Sequence, residues 1–395
     1  MIGNKKKLHF LSASDRINYG DILFPIIFMK VLNLEKINVE FYNYGIVKSD
    51  LSFFGGFPTL SYRKFQKNIK HGGNIIIGGG EVLFVDWASL AAFISLFYSK
   101  ILSNNTFAKF EAKFNLIRYL FSNGQIEVPY APNKENLKSR NEIAIFYNSV
   151  GGSFQNSRLV GRKKSFRRAI LSSDYISVRD QRVQRSLLDY DINSILVPDS
   201  AILLSDFFDM NSLLEKVSFE KSLINNDYLF FQIGKHYRPL DFLKFVAQLE
   251  IVREKLKCKI YLCPIGLAPM HEDVEILKEI NSFSKNFKFI MPNNIYDIMA
   301  LICFSKAYIG TSLHGLITAQ SYNIPFIPLN KKITKVEQYC KTWTSNLIQE
   351  NLEYSNILDS IIIIENWDFN LSQEILENQK KLVYDNLKNI FTNLI

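Results

Sequence analysis

Four clusters in this chain carry groups that grip anions or move protons, three of them beside glycine: Asn18-Tyr19-Gly20-Asp21, Gly78-Gly79-Gly80-Glu81, Ser177-Val178-Arg179-Asp180 and Gly310-Thr311-Ser312-Leu313-His314-Gly315. Each follows a short apolar run and leads into a new element. A strand that turns through glycine into a helix aims backbone N–H groups and a positive dipole end at the sheet edge, where α/β folds bind ligands. Asp21 falls at such a helix start, as a proton acceptor or as a cap. Three glycines after a buried strand admit a ligand or another backbone, and Glu81 projects beyond them. The pattern is not GxGxxG, and no acidic residue stands where a dinucleotide ribose needs one. Arg179, at a strand end, suits a clamp on carboxylate or phosphate, or a salt bridge. Asp180 either holds that guanidinium or caps the helix Gln181–Leu188. Ser149-Val150-Gly151-Gly152 and Pro198-Asp199-Ser200 end neighbouring strands in the same plane. In the last cluster His314 occupies a first helical turn, a good phosphoryl site with a proton donor built in. The dipole there disfavours an imidazolium unless an anion is bound. A helix-cap role for His314 is the plainer alternative.

Positioning these groups requires a sheet. Expected strands in the first half are Leu8–Ser12, Val39–Tyr44, Asn74–Ile77, Ile143–Asn148, Tyr175–Val178 and Ser194–Val197. The second half offers Tyr228–Ile233, Lys259–Cys263, Phe287–Ile290, Ala307–Ile309 and Phe326–Pro328. Short apolar runs alternating with longer helical patterns predict parallel sheets flanked by helices. With 395 residues, two domains are expected. The first spans 1–205 with a helical insertion at about 84–140; 206–226 connects, 227–370 forms the second, and 371–395 is a terminal helix. Gly124 to Arg140 within the insertion reads as a loop.

The net charge of +9 favours an anionic partner: a phosphate-bearing substrate, a membrane surface or nucleic acid. No helix-turn-helix, zinc-finger or RNA-binding signature supports nucleic acid, so none is expected. Arg158, Arg162, Lys163, Lys164, Arg167 and Arg168 concentrate the charge, as a solvated helix face or as a patch for phosphate or anionic lipid. Phe84 to Asn123 is crowded with aromatics and carries Lys100, Lys109, Lys113 and Arg118. It reads as a helical cover for the sheet or as an amphipathic face for membrane or a lipid-linked substrate. Cys258, Cys263, Cys303 and Cys340 form no CxxC, which fits reduced thiols in the cytoplasm. His9, His71, His236 and His271 share no metal-ligand spacing, and no metal is expected. The apolar run behind the basic start ends at Leu11, too short for a secretion signal. No stretch has the roughly 18 unbroken apolar residues of a membrane span. A cytoplasmic protein, peripheral at most on the inner membrane face, is the expectation.

In this order and at these spacings the clusters resemble the polysaccharide pyruvyltransferase family, from about Asn18 to Lys341. Its members similarly show the Asn-x-Gly-Asp start, the Gly-Gly-Gly turn, the Ser-x-Arg-Asp step and a Pro-Asp element, here Pro198-Asp199. They also show Pro-x-Gly with downstream acids, here Pro264-Ile265-Gly266 and Glu272-Asp273, then Leu-His-Gly and a trailing lysine, here Lys335. The resemblance implies two Rossmann-like domains facing across a cleft, in the GT-B-like class. It implies phosphoenolpyruvate as donor, no cofactor, and a sugar diol acceptor, lipid-diphosphate-linked in one version. His314, Asp21 and Glu81 would then be catalytic, His314 in the late half meeting Arg179 of the early half around one small anion. Arg179, Gly310, Thr311, Ser312 and Gly315 would bind the donor, and Asn18, Gly20, Gly79 and Gly80 the acceptor. The family often has Arg where Ser312 stands, so Lys235, Arg238 or Lys335 must supply that cation. A glycosyltransferase using a nucleotide sugar is the competing reading, with Glu272 or Glu337 reaching the ribose. A non-enzymatic polyanion-binding or membrane-binding protein is a third.

Overall fold

The computed structural model describes residues 5–124, 126–152, 162–269 and 273–395. Arg158, His271 and Glu272 lie outside the described residues. The chain divides into two compact units: Met1–Ser200 with Ala268–Met270 and Leu382–Ile395, and Ala201–Leu267 with His271–Lys381.

The first unit holds β1 (Lys6–Leu11), β2 (Val39–Tyr44), β3 (Gly73–Gly78), β4 (Glu81–Leu83), β5 (Ile143–Gly152), β6 (Tyr175–Val178) and β7 (Ile195–Leu196). All pair in parallel, in the order β2-β1-β3-β5-β6-β7, and β4 pairs with the tail of β5. The central strands are apolar on both faces, as a sheet covered on both sides demands. Ile75, Ile76 and Ile77 of β3 are fully buried. Each such burial contributes ~1.5–3 kcal/mol, which holds the strand ends still.

The second unit holds β8 (Tyr228–Gln232), β9 (Lys259–Leu262), β10 (Phe287–Phe289), β11 (Ala307–Gly310) and β12 (Phe326–Pro328), parallel in the order β10-β9-β8-β11-β12. All eleven expected strands are present, ten of them to within one or two residues at each end, while β5 runs four residues past the expected end at Asn148. β4 was not expected, because three residues directly after a glycine turn carry no periodicity.

Two boundaries differ from the sequence expectation. Residues 206–226 are not a free connection but part of the second unit, which begins at Ala201. The segment lacks strands, yet side chains staple it down. Tyr322 OH donates to Phe208 O (2.6 Å), and Asp297 accepts from the amide and hydroxyl of Ser218 (2.7 and 2.6 Å). The terminal helix runs Phe369–Thr392, and from Leu382 it belongs to the first unit. There Asn386 takes the Tyr175 hydroxyl (2.7 Å) and donates to Asn148 (2.8 Å), while Val383, Leu387 and Ile390 are buried. An amphipathic period shows that a helix has a buried face, not which sheet covers it. The Gly124–Arg140 loop contains one short helix, Lys134–Leu137.

Candidate functional site: two sheet edges

In the first unit the chain leaves β1 toward β2 on one side, and β3 and its successors lie on the other. The topological switch therefore falls between β1 and β3, whose carboxyl ends are where α/β sheets bind ligands. Asn18 to Asp21 follow β1 there, and Gly78 to Glu81 follow β3. Asn18 is the N-cap residue of the helix Tyr19–Leu34, but its side chain makes no cap bond. Instead its Nδ2 donates to Asp21 Oδ2 (2.9 Å), orienting a half-exposed carboxylate in the first turn. A Cβ on Gly80, which has φ +78°, would lie 3.2 Å from Asp21 Oδ1, and one on Gly79 would strike the Phe24 ring at 2.1 Å. These glycines let the β3 turn press against the helix that carries Asp21. Gly20 is buried in the same first turn.

The sequence reading missed Asp15 and Arg16 on the same edge. Arg16 is 6% exposed and its Nη2 lies 2.9 Å from Asp15 Oδ1, while Asp15 Oδ2 accepts from the amides of Ile46 (2.7 Å) and Val47 (3.1 Å). Asp21 also acts on Arg16 electrostatically. Neither residue belongs to a glycine cluster; a charged dipeptide between β1 and the helix was the one available signal.

Arg179 is fully buried. Its guanidinium pairs with Glu81 and, at 3.3 Å, with fully buried Asp199. Both carboxylates are thus held by the one guanidinium. Arg179 therefore holds Glu81 in place, the salt bridge that its position at a strand end also allowed. Gly151 is part of the fit: a Cβ there would lie 2.5 Å from Arg179 Nε. Asp180 does not hold the guanidinium through a hydrogen bond; it caps the helix Gln181–Leu188, accepting from the Val183 amide (3.0 Å). Ser149, in the left-handed region at φ +48°, hydrogen-bonds Val197 O (2.9 Å) and Pro198 O (2.6 Å) and so ties β5 to the Pro198-Asp199 turn.

Elsewhere in this unit Lys163, Lys164 and Arg168 are exposed along the helix Lys163–Leu171. Arg167 bonds Asp191 and Tyr190 O, and Arg162 turns back to Ala112 O (3.0 Å). None of the five reaches the β1–β3 edge through a described hydrogen bond.

The second unit repeats the topology: β8 leads to β9 and β10 on one side, and β11 lies on the other, so its switch falls between β8 and β11. Gly310 ends β11 and the helix Leu313–Ser321 starts three residues later. A Cβ at Gly310 would meet Tyr308 OH (2.5 Å) and Gln232 O (2.8 Å), and one at Gly315 would meet the Tyr308 ring (2.6 Å). Both glycines therefore make room for Tyr308, whose hydroxyl donates to Ser312 O (3.0 Å) and accepts from Ser312 N (3.2 Å). Ser312 caps the helix, its hydroxyl accepting from Gly315 N (3.3 Å). First-turn amides of a helix have no acceptor within it, so Leu313 and His314 present theirs outward. His314 itself is half-buried.

A hydrogen-bonded chain fixes this turn. Gln232 Oε1 accepts from Thr311 N (3.1 Å) and Oγ1 (3.2 Å), and Thr311 Oγ1 accepts from Gly234 N (3.0 Å). Gln232 Nε2 donates to Asp273 Oδ2 (2.7 Å), which also takes the amides of Ile265 (3.1 Å) and Gly266 (3.0 Å). Burial pushes the Asp273 carboxyl up to about 6, against those three donors and nearby Lys335, which pull it down. Gln232 is a positioning residue that sequence reading missed, hidden at the end of an apolar strand.

Of the proposed substitute cations, Lys235 pairs with Glu275 (2.7 Å). Arg238 pairs with Glu279 and stacks 3.8 Å from the Phe242 ring centroid. Arg238 also lines, with His236, Lys244, Lys332 and Tyr354, a cleft of ≈ 480 Å³. His314 is not among the described residues lining it. Glu337 pairs with Lys341 (2.7 Å). Among the described residues no group of His, Cys, Asp and Glu could hold a metal, and no helix is long and apolar enough to cross a membrane. All four cysteines are free and buried.

No curated protein matches the chain. In fold it is similar to the UDP-GlcNAc 2-epimerase of Methanocaldococcus jannaschii in complex with UDP-GlcNAc and UDP (TM-score 0.54, 13% identity, covering 98% of this chain and 99% of that one). It is also similar to a putative UDP-N-acetylglucosamine 2-epimerase from Listeria monocytogenes (0.56, 10%, 98% and 95%) and to a variant of the wall teichoic acid polymerase TagF (0.51, 10%, 98% and 87%). At such identities the likeness speaks for architecture alone: two Rossmann-like units of the GT-B-like class. The glycine-bearing sheet-edge elements are the Asn18–Asp21 and Gly78–Glu81 turns and the Leu313–Gly315 helix start. They fall inside residues 18–331, which match the family model for polysaccharide pyruvyl transferase, and the chain belongs to that family.

Proposed function

We propose that the protein moves pyruvate from phosphoenolpyruvate onto a sugar diol, as a ketal, during assembly of a bacterial surface polysaccharide. Family membership supports pyruvyl transfer in general; the site chemistry supports the finer reading. The observation that carries it is the Gly310–Gly315 turn. There the Asp273–Gln232–Thr311 chain fixes the turn that leads, at a topological switch, into the helix whose first turn carries His314. Phosphoenolpyruvate is a small dianionic or trianionic ligand of the kind such a turn binds. Its methylene carbon must take a proton and become the ketal methyl. One acceptor hydroxyl then adds to the neighbouring carbon, the C–O bond to phosphate breaks, and the second hydroxyl closes the ketal. Of the two hydroxyl protons released, one balances the proton consumed by the methylene and the other leaves with phosphate or water.

In this scheme His314 is the acid/base, and Lys335 and the helix amides offset donor charge. Asp21, oriented by Asn18, takes a hydroxyl proton. Glu81, held by Arg179, orients the acceptor, and Gly79 and Gly80 leave space for it. Lys235 joins the donor set by exchanging Glu275 for phosphate. The test is acceptor-dependent phosphate release from phosphoenolpyruvate with a panel of sugars and lipid-diphosphate sugars. His314→Ala and Asp21→Asn are each expected to lower turnover by ~10²–10⁴-fold. Turnover of His314→Ala within about tenfold of wild type refutes its role. Thermal stabilisation by uridine nucleotides but not by phosphoenolpyruvate would transfer the protein to nucleotide-sugar chemistry.

A further inference from the structure

The reaction above uses the two sheet edges and leaves the helical segment between β4 and β5 without a role. Within it the helix Asn105–Phe114 is inverted. Phe107, Phe110 and Phe114, spaced i, i+3, i+7 on one face, are 38%, 47% and 47% exposed. Exposed Lys109 and Lys113 flank them. The inward face carries Ala108, Ala112 and Glu111, which is 2% exposed and accepts the amides of Leu116 (2.9 Å) and Ile117 (3.2 Å). A helix that turns its carboxylate inward and its rings outward is not built to face water. Leu96, Phe97, Leu116, Tyr119 and Leu120 extend the apolar surface, each close to half exposed or more. Single exposed apolar residues are ordinary; eight within 25 residues mark an interaction surface.

Charge identifies the partner. From Trp87 to Gly124 the chain holds Lys100, Lys109, Lys113 and Arg118, and its one acidic residue is inward-turned Glu111. Arg162 Nη2 on Ala112 O (3.0 Å) seats the start of the basic helix Lys163–Leu171 against this helix, adding exposed Lys163, Lys164 and Arg168. Aromatic rings interleaved with lysine and arginine are the composition of an interfacial membrane anchor, in which rings enter the headgroup layer and cations meet anionic lipid. A second copy of the same face would set like charges against each other. We propose that residues 96–120, with the basic helix Lys163–Leu171, dock on an anionic lipid bilayer. This inference stands apart from the reaction proposed above.

The experiment is flotation of the full chain with vesicles of phosphatidylcholine alone or mixed with phosphatidylglycerol, across a salt titration. Wild type is expected to bind the mixed vesicles ~10-fold or more tightly than the neutral ones, and less so at high salt. Phe107→Ser/Phe110→Ser/Phe114→Ser and, separately, Lys109→Glu/Lys113→Glu should each lose ~10-fold or more, with melting and phosphate release on a water-soluble acceptor unchanged. Equal binding to both vesicle types overturns the proposal, as does wild-type binding by both variants. So does capture that requires a lipid diphosphate. A wild-type dimer that the triple variant converts to monomer, with vesicle binding intact, assigns the face to a second copy instead.

Discussion

Arg179 separates two accounts of the first sheet edge, because a structural ion pair and a donor clamp fail differently when the arginine is removed. In Arg179→Met the two carboxylates lose their shared cation. Glu81 has a side chain 35% exposed and can turn to water. Asp199 has a fully buried side chain and loses the guanidinium 3.3 Å away. Breaking a buried pair in this way costs ~3–5 kcal/mol, so urea unfolding of the first unit should shift by at least ~3 kcal/mol. Because two units need not unfold together, hydrogen exchange in peptides from β5 and β6 is the cleaner readout. The double variant Arg179→Met/Asp199→Asn removes both charges and should recover more than half of the loss. Activity in the single variant falls through Glu81, as a drop in kcat and in acceptor affinity rather than a selective rise in KM for phosphoenolpyruvate. If Arg179→Met protects β5 and β6 within ~1 kcal/mol of wild type and raises only that KM, the guanidinium faces the donor and the ion-pair argument fails.

Three further outcomes follow from distances and burial. Gly151→Ala sets a methyl 2.5 Å from Arg179 Nε and is expected to cost ~1–3 kcal/mol. In an Arg179→Met background the same change should be nearly neutral, and an additive double-mutant cycle would refute the contact. Ser312→Ala removes the helix cap and should lower stability of the second unit by ~0.5–2 kcal/mol while sparing turnover; a loss of ~10²-fold in turnover would return Ser312 to the donor site. Asp273, raised to about 6 in the folded chain against 3.8, favours folding fully below pH 3.8 and loses that contribution as pH rises through 6. Wild type should therefore gain up to ~3 kcal/mol over Asp273→Asn between pH 7 and pH 4, read as the difference of their melting curves; a flat difference contradicts the burial assignment.

The elements were legible in the sequence because parallel strands buried on both faces read as short apolar runs, and glycine turns punctuate them. Ile143–Asn148 and Ala307–Ile309 needed no tertiary knowledge. What escaped was partnership. Arg179 at a strand end reads equally as clamp or salt bridge, and only the positions of Glu81, Asp199 and Gly151 decide between them. Asp180 as a cap and Ser312 as a cap follow from local backbone geometry that the residue type allows but does not require. Gln232 and Asp273 meet across 41 residues, a separation that periodicity cannot see. The inward Glu111 inverts the usual amphipathic rule, so the sequence of Asn105–Phe114 alone gives the wrong face to solvent.

Each sheet places an ionisable group by one rule. At each switch a strand ends, the backbone turns, and the first turn of a helix carries an ionisable side chain: Asp21 beyond β1, His314 beyond β11. What differs is how each turn is stiffened. In the first unit close glycine packing does it, with Gly79 against Phe24 and Gly80 against Asp21. In the second a buried polar chain does it, from Asp273 through Gln232 to Thr311. Apolar packing is insensitive to pH, whereas a carboxyl that titrates near 6 is not. The geometry of the histidine edge therefore depends on the protonation of Asp273. Loss of activity on the acid side that Asp273→Asn shifts, and Gly80→Ala does not, would trace that dependence to the hydrogen-bonded chain rather than to the reacting groups.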